Sequence, residues 1–145
     1  MISARRNIEA GNIERIVRSL SGQSDSERKV LGIPDEDLVD LLLAQSVNGY
    51  CETIFVDDEA VAAFGLAKRD GFNNTWFIAS TGFFGLGIAG IRYARERVRY
   101  YRSNFGLPLR TTSWSPMAEA PKWFKVLGFV EQPELVDGAR VFLYK

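Results

Sequence analysis

The sequence contains no histidine and a single cysteine, Cys51, among its 145 residues. Histidine is the commonest general base and the commonest metal ligand in proteins, so neither role can be filled in the usual way. One cysteine excludes both an intramolecular disulfide and a cysteine-rich zinc site. We therefore expect no bound metal.

Excess charge and long apolar runs are also missing. Eighteen basic residues balance eighteen acidic ones, so whole-molecule attraction to nucleic acid or to an anionic membrane is not expected. No apolar run approaches the roughly 18 residues of a membrane span. The first residues, Met1–Arg6, lack the hydrophobic core of a signal peptide, which predicts synthesis in the cytoplasm.

The remaining composition is that of a soluble globular protein, with 46% apolar and 25% charged residues. The length suits one domain over residues 1–145. Apolar periodicity and turn residues predict elements in the order β-α-α-β-β-β-α-β-α-β-β. Their approximate bounds are strands at 2–6, 50–56, 61–67, 76–80 and 109–115, helices at 12–20, after Pro34, at 88–104 and around Trp123, and a final hairpin over 130–145. Residues 21–26 and 70–74 are predicted as loops. This pattern favours an α/β (α+β) fold, a mixed sheet with helices on both faces.

A glycine-rich segment, Ser80–Gly90, joins a predicted strand to the longest predicted helix. Glycines allow backbone amides to approach an anion, and a helix N-terminus adds partial positive charge. A tight structural turn has the same composition. Both interpretations remain open at this stage.

The long helix carries basic residues along one face, namely Arg92, Arg95, Arg99 and Arg102. The simpler interpretation is a solvated basic face, and the alternative is a stripe facing the phosphates of a nucleotide or nucleic acid. Glu52 lies within an apolar strand. We expect it at the surface; an inward side chain would instead be a desolvated carboxylate that could act as a base.

The segment Ala120–Phe129 reads as a short amphipathic helix that stops at Gly128 and continues into a strand. Its order of Ala, large apolar residue, aromatic residue and Gly-Phe resembles the last helix of the GNAT superfamily of N-acetyltransferases. The predicted element order resembles the same superfamily over nearly the whole chain.

The resemblance implies a GNAT-like fold and an acetyl-CoA site on the loop Gly82–Gly87, which matches the later glycines of the family's pyrophosphate motif. Three chemical positions differ: Gly82 replaces an Arg or Gln, Met117 replaces an Asn, and Phe124 replaces the usual Tyr acid. No catalytic residue is therefore assigned. The cofactor contacts that the resemblance implies are Ile78, Ser80, Gly85, Leu86, Gly87 and Ile88.

A narrower resemblance is to the GNAT-like internal virion proteins of short-tailed phages. It rests on the order of short matching pieces, which are Ser24–Glu27, Leu43–Ser46, Ala63–Gly65, Trp76–Thr81 and Lys122–Phe129. It implies a protein of the host cytoplasm or virion, with other virion proteins or a host protein as partners.

Two functional classes follow from these resemblances. The substituted positions favour a phage binding or structural module with a degenerate acetyltransferase site. The alternative is an acetyl-CoA-dependent N-acetyltransferase that acts on a protein or small-molecule amine. Fold alone does not choose between them.

Overall fold

A seven-stranded mixed sheet with helices on both faces makes up the computed structural model, which describes residues 1–47 and 49–145. The strands are β1 (Ile2–Arg6), β2 (Tyr50–Val56), β3 (Glu59–Arg69), β4 (Phe72–Ala79), β5 (Leu109–Ser113), β6 (Val130–Val136) and β7 (Ala139–Tyr144). The helices are α1 (Ala10–Arg18), α2 (Gly22–Leu31), α3 (Asp35–Val47), α4 (Thr81–Phe84), α5 (Ile88–Phe105) and α6 (Glu119–Leu127). This arrangement confirms the predicted fold class.

The sheet order is β1-β2-β3-β4-β5-β7-β6. All neighbouring strands are antiparallel except β4 and β5, which are parallel. The parallel register runs from Asn73 opposite Leu109 to Thr75 opposite Thr111 and stops there. Both strands continue beyond that point, β4 to Ala79 and β5 to Ser113. We call the opening between residues 76–79 and 112–113 the splay.

Two apolar clusters cover the two faces of the sheet, because successive strand residues point to opposite sides. Helices α4, α5 and α6 pack on one face with large buried side chains such as Phe83, Tyr101 and Trp123. Helices α1 and α3 pack on the other, with Ile13 and Leu42 among the buried residues. Among the described residues, no helix combines the length and the apolarity that crossing a bilayer needs.

The prediction of a loop over residues 21–26 was wrong, because helix α2 occupies Gly22–Leu31. The Ser21 side chain caps it by accepting from the Ser24 amide, and Gly32 ends it in the left-handed conformation. None of its residues is classed as buried. A helix without an apolar stripe gives no periodic signal in the sequence. The four-residue helix α4 was also not predicted.

Strand β4 begins at Phe72 rather than Trp76, because the turn before it is shorter than predicted. Asp70 and Gly71 form the turn, both with positive φ, and Phe72 already pairs with Arg69. Asn73 resembles a turn residue but is fully buried, and its side-chain amide donates to the Phe105 carbonyl. At the other boundary, β5 ends at Ser113, two residues earlier than predicted.

Candidate functional site

The splay exposes one backbone edge of β4. The Asn73 amide donates to the Pro108 carbonyl on the β5 side, whereas the Ser80 amide donates to Val61 of β3. Backbone groups alternate in direction along a strand. The edge that faces the splay therefore carries the amides and carbonyls of Phe77 and Ala79. Those of Ala79 are engaged, because its carbonyl accepts from the Ser21 amide at 2.9 Å and its amide donates to the Ser24 hydroxyl at 3.3 Å. The opening follows from the parallel pairing of β4 and β5, which ends at Thr75 and Thr111.

Two of the predicted cofactor contacts, Ile78 and Ser80, lie on this part of β4 but face away from the splay edge. The Ile78 side chain is buried under α1 and α3. The Ser80 hydroxyl donates to the Val61 carbonyl at 3.0 Å. The backbone groups that face a ligand in the splay thus belong to Phe77, and contact by Ile78 or Ser80 themselves stays a prediction.

The glycine-rich segment forms one short helical turn followed by a chain of tight turns. The amides of Gly85, Leu86 and Gly87 donate to the carbonyls of Thr81, Phe83 and Phe84 at 2.9, 3.1 and 3.2 Å. These three predicted contacts therefore already have backbone acceptors for their amides. The anion-binding amides must come from further along the chain.

The N-terminus of α5 supplies those amides. The first hydrogen bond of this 18-residue helix runs from the Ile91 amide to the carbonyl of the N-cap residue Gly87, at 3.2 Å. The amides of Ile88, Ala89 and Gly90 precede it and have no acceptor within the helix. Gly87 has φ of +61° and ψ of −131°, a conformation that favours glycine. Open space surrounds it, and the Ile88 side chain is 69% exposed.

This helix end fits a pyrophosphate. The first three amides of α5 lie at the positive end of the helix dipole, where Ile88 and Ala89 are exposed and Gly90 is buried, and the first turn has no acidic residue. Of the predicted contacts, Ile88 is the one whose amide is placed for this purpose. The site lacks the family's Arg or Gln, since Gly82 stands there.

Behind the splay the interior is filled by aromatic rings. Trp123 stacks on Phe77 with ring centroids 5.6 Å apart, and Phe83 and Phe84 meet it edge-on. The cavity beside Phe77 and Trp123 measures about 20 Å³, enough for roughly one water molecule. A ligand of any size must therefore lie along the mouth of the splay rather than inside the core.

Phe124, at the family's general-acid position, is a core residue. It is 7% exposed and packs against Phe142 at 4.6 Å and Phe129 at 6.1 Å between ring centroids. Phenylalanine has no proton to donate.

Helix α2 lies across the mouth of the splay and touches the ends of both strands. On the β4 side, the Ala79 amide donates to the Ser24 hydroxyl at 3.3 Å. On the β5 side, the Ser26 and Ser115 hydroxyls are 2.7 Å apart, and the Ser113 hydroxyl donates to Glu27 Oε2 at 3.1 Å. Sequence reasoning did not assign these residues to the site because it missed the helix that carries them.

Burial raises the pKa of the Glu27 carboxyl above its ordinary value. Hydrogen bonds from the Ser113 hydroxyl and from the backbone of Trp114 and Ser115 lower it, but by less than burial raises it. A carboxylate with a raised pKa at the mouth of a cleft is a candidate acid or base.

Glu52 is 1% exposed, so the expectation of a surface position was wrong. Arg97 of α5 pairs with it through two hydrogen bonds of 2.9 and 2.6 Å, and the hydroxyls of Tyr50 and Tyr101 also donate to it. Burial and the nearby Glu52 charge raise the pKa of Tyr50 to about 12. Because every oxygen of Glu52 is engaged and β3 separates its strand from β4, we interpret this cluster as a structural tie between β2 and α5.

Arg92, Arg95 and Arg99 line the exposed face of α5 beside Glu96, and Arg102 is half-buried. This solvated arrangement matches the simpler interpretation of the basic stripe. Among residues 1–47 and 49–145, no group of three or more Cys, Asp or Glu side chains is placed to hold a metal ion.

Comparison with known proteins gives a consistent picture of the fold. No family model matches the chain, and no curated protein matches it in sequence. Among solved structures, the GNAT domain of PAT from S. lividans has a TM-score of 0.74 at 12% identity, over 97% of this chain and 88% of that one. The acetyltransferase from Agrobacterium tumefaciens has a TM-score of 0.73 at 14% identity, over 99% and 90%.

The N-acetyltransferase PseH from Campylobacter jejuni, solved in complex with acetyl coenzyme A, has a TM-score of 0.62 at 12% identity, over 100% of this chain and 99% of that one. At identities this low the likeness concerns the fold. The chain therefore has the fold of the GNAT acetyltransferases.

Proposed function

We propose that this protein is an acetyl-CoA-dependent N-acetyltransferase whose cofactor lies along the splay. The observation that carries the proposal is the parallel β4/β5 pair that stops at Thr75 and Thr111 and leads into the open N-terminus of α5. One ligand could occupy both features, because β4 runs directly into the glycine-rich turn.

The residues that would hold acetyl-CoA are those with available backbone groups. The amides of Ile88, Ala89 and Gly90 would bind the pyrophosphate at the helix end. The backbone of Phe77 would hydrogen-bond the pantetheine arm as a neighbouring strand does, whereas Ala79 is already bonded to Ser21 and Ser24. Acetyl-CoA, when bound, supplies an activated acetyl group for transfer to an amine.

The chain's own contribution is mainly to orient and enclose. The aromatic wall of Trp123, Phe83 and Phe84 excludes water behind the splay, and α2 closes the mouth from the other side. A reaction centre held between these two layers is shielded from bulk solvent, which strengthens the electrostatic interactions there.

A non-catalytic binding module is the second candidate function. It is favoured by Phe124, which removes the family's proton donor, and by the dense aromatic packing that leaves little internal space. In that case the partners would be virion proteins or a host protein, and the protein would act in the host cytoplasm or the virion.

Isothermal titration calorimetry with acetyl-CoA tests the proposal through Ile88. An Ile88→Glu side chain would place a negative charge about 6 Å from a doubly charged pyrophosphate. Their repulsion in water amounts to about 1.4 kcal/mol, or roughly tenfold in Kd. The same substitution is expected to stabilise the helix slightly, because an acidic first turn complements the dipole.

Ile88→Gln is the matched control, since it changes size and polarity without charge. We expect wild type and Ile88→Gln to bind alike and Ile88→Glu to bind about tenfold more weakly. Absence of heat at millimolar acetyl-CoA with folded wild-type protein would overturn the proposal and favour the binding module.

A further inference from the structure

Glu27 is a carboxylate that the fold holds half-buried without a counter-ion. Within the described residues it forms no salt bridge. Its side-chain partner is the Ser113 hydroxyl at 3.1 Å. A buried charge without a cation lowers the stability of the folded state, so the residue calls for an explanation other than packing.

The position of Glu27 supplies one. Helix α2 touches the β4 edge through Ser24, which accepts from the Ala79 amide. One turn further along the same helix, Glu27 meets the end of β5 at Ser113. The carboxylate therefore stands across the splay from the β4 edge that, under the proposed function, holds the pantetheine arm.

We infer that Glu27 is the catalytic proton-transfer group and that the acceptor is a primary amine approaching between α2 and the end of β5. The inference rests on the proposed function, because it needs an acyl donor in the splay. A negatively charged, partly exposed side chain attracts a cationic amine. The Ser113 hydroxyl holds the carboxylate in place, and the bonded hydroxyls of Ser26 and Ser115 join α2 to the segment after β5.

A primary amine that arrives as a cation first releases one proton to solvent, so that the attacking nitrogen is neutral. The Glu27 carboxylate then takes one further proton from that nitrogen while the C–N bond forms and the C–S bond breaks. The resulting carboxylic acid gives that proton to the departing sulfur, so that amine and thioester become amide and thiol. The return step is downhill, because a free thiol has a pKa of about 8.5 and a carboxyl group lies well below that. This accounts for a site in which Phe124 supplies no acid.

The surroundings of Glu27 set the expected pH dependence. The charged groups on the elements around it are engaged elsewhere: Arg28 of α2 binds Asp25 and Asp35, and Arg140 of β7 donates to the carbonyls of Ser115 and Met117. Burial raises the pKa of the Glu27 carboxyl. Transfer should therefore rise with pH as Glu27 loses its proton, along an acid limb displaced above the ordinary glutamate range.

The test compares wild type with Glu27→Gln, and uses Glu134→Gln on the exposed edge strand β6 as the matched control. Three measurements are made on each protein: acetyl-CoA affinity by calorimetry, kcat/KM against pH with a polyamine, an aminoglycoside and a lysine peptide, and carboxyl titration by ¹³C NMR without acetyl-CoA. The amide oxygen that Glu27→Gln introduces still accepts a hydrogen bond from Ser113, so the fold should persist.

We expect Glu27→Gln to lower kcat/KM by roughly 10²–10⁴-fold, to abolish the acid limb and to change acetyl-CoA affinity less than twofold. One glutamate resonance that titrates above the others should disappear in Glu27→Gln and remain in Glu134→Gln. A wild-type rate and pH profile in Glu27→Gln would overturn the inference, as would acetyl-CoA binding without acetylation of any amine. Failure of acetyl-CoA to bind would instead overturn the proposed function, and the inference with it.

Discussion

The Arg97→Met substitution leaves the Glu52 carboxylate buried without its cation. Two hydrogen bonds of 2.9 and 2.6 Å disappear, and at 1% exposure Glu52 has almost no access to water that could replace them. Breaking a buried ion pair from one side typically destabilises a protein by about 3–5 kcal/mol. Methionine keeps the apolar stem of arginine, so most of this loss reports on charge rather than packing.

We therefore expect Arg97→Met to lower the free energy of unfolding by about 3–5 kcal/mol, and Tm by roughly 10–20 °C for a chain of this size. Urea denaturation followed by circular dichroism measures the first quantity. The exposed Arg95 on the same helix is the control, and Arg95→Met should stay within about 0.5 kcal/mol of wild type.

A double variant separates charge from structure. Glu52→Gln combined with Arg97→Met removes both charges but keeps an acceptor for the hydroxyls of Tyr50 and Tyr101. The double variant should regain at least half of the free energy of unfolding that Arg97→Met alone loses. If Arg97→Met alone costs less than about 1 kcal/mol, or if the double variant is no better, the cluster is not the buried ion pair described above.

Two further substitutions address the core and the site. Phe124→Tyr should not raise the rate of acetyl transfer, and a tenfold gain in kcat would contradict this. The same substitution should lower the free energy of unfolding by about 1–3 kcal/mol, because the new hydroxyl enters an apolar cluster. Gly65→Ala should destabilise by about 1–3 kcal/mol in urea melts, since its Cβ would overlap the Trp76 ring. Gly11→Ala, which meets open space in α1, should be neutral or stabilising, and an equal loss there would refute the steric explanation.

The parts of the fold that the sequence predicts are those with a strong apolar pattern. Alternation and turn residues locate most of the strands and the long helix α5 within a few residues. Helix α2 was not predicted, because its serines and charged residues face solvent or polar partners and it has no apolar stripe. The start of β4 was likewise predicted too late in the sequence, because Asn73 is a buried strand residue whose polar side chain resembles that of a turn residue.

The sequence predicts where the candidate site lies, but not which backbone and side-chain groups are available in it. A glycine-rich segment between a strand and a long helix indicates an anion site, and α5 does begin there. Which amides remain available depends on tight turns that occupy those of Gly85, Leu86 and Gly87. Glu27 belongs to the site through its contact with Ser113, 86 residues away in sequence. Such long-range contacts leave no local pattern.

The most direct test of the central claim is an amide NMR titration of the ¹⁵N-labelled protein with acetyl-CoA. The account predicts that the amides of Phe77, Ile88, Ala89 and Gly90 shift together and saturate with one Kd, while the amides of the outer strand β6 stay in place. Saturable shifts confined to another surface, or no shift at millimolar acetyl-CoA, would contradict the claim that the splay and the α5 N-terminus form an acetyl-CoA site.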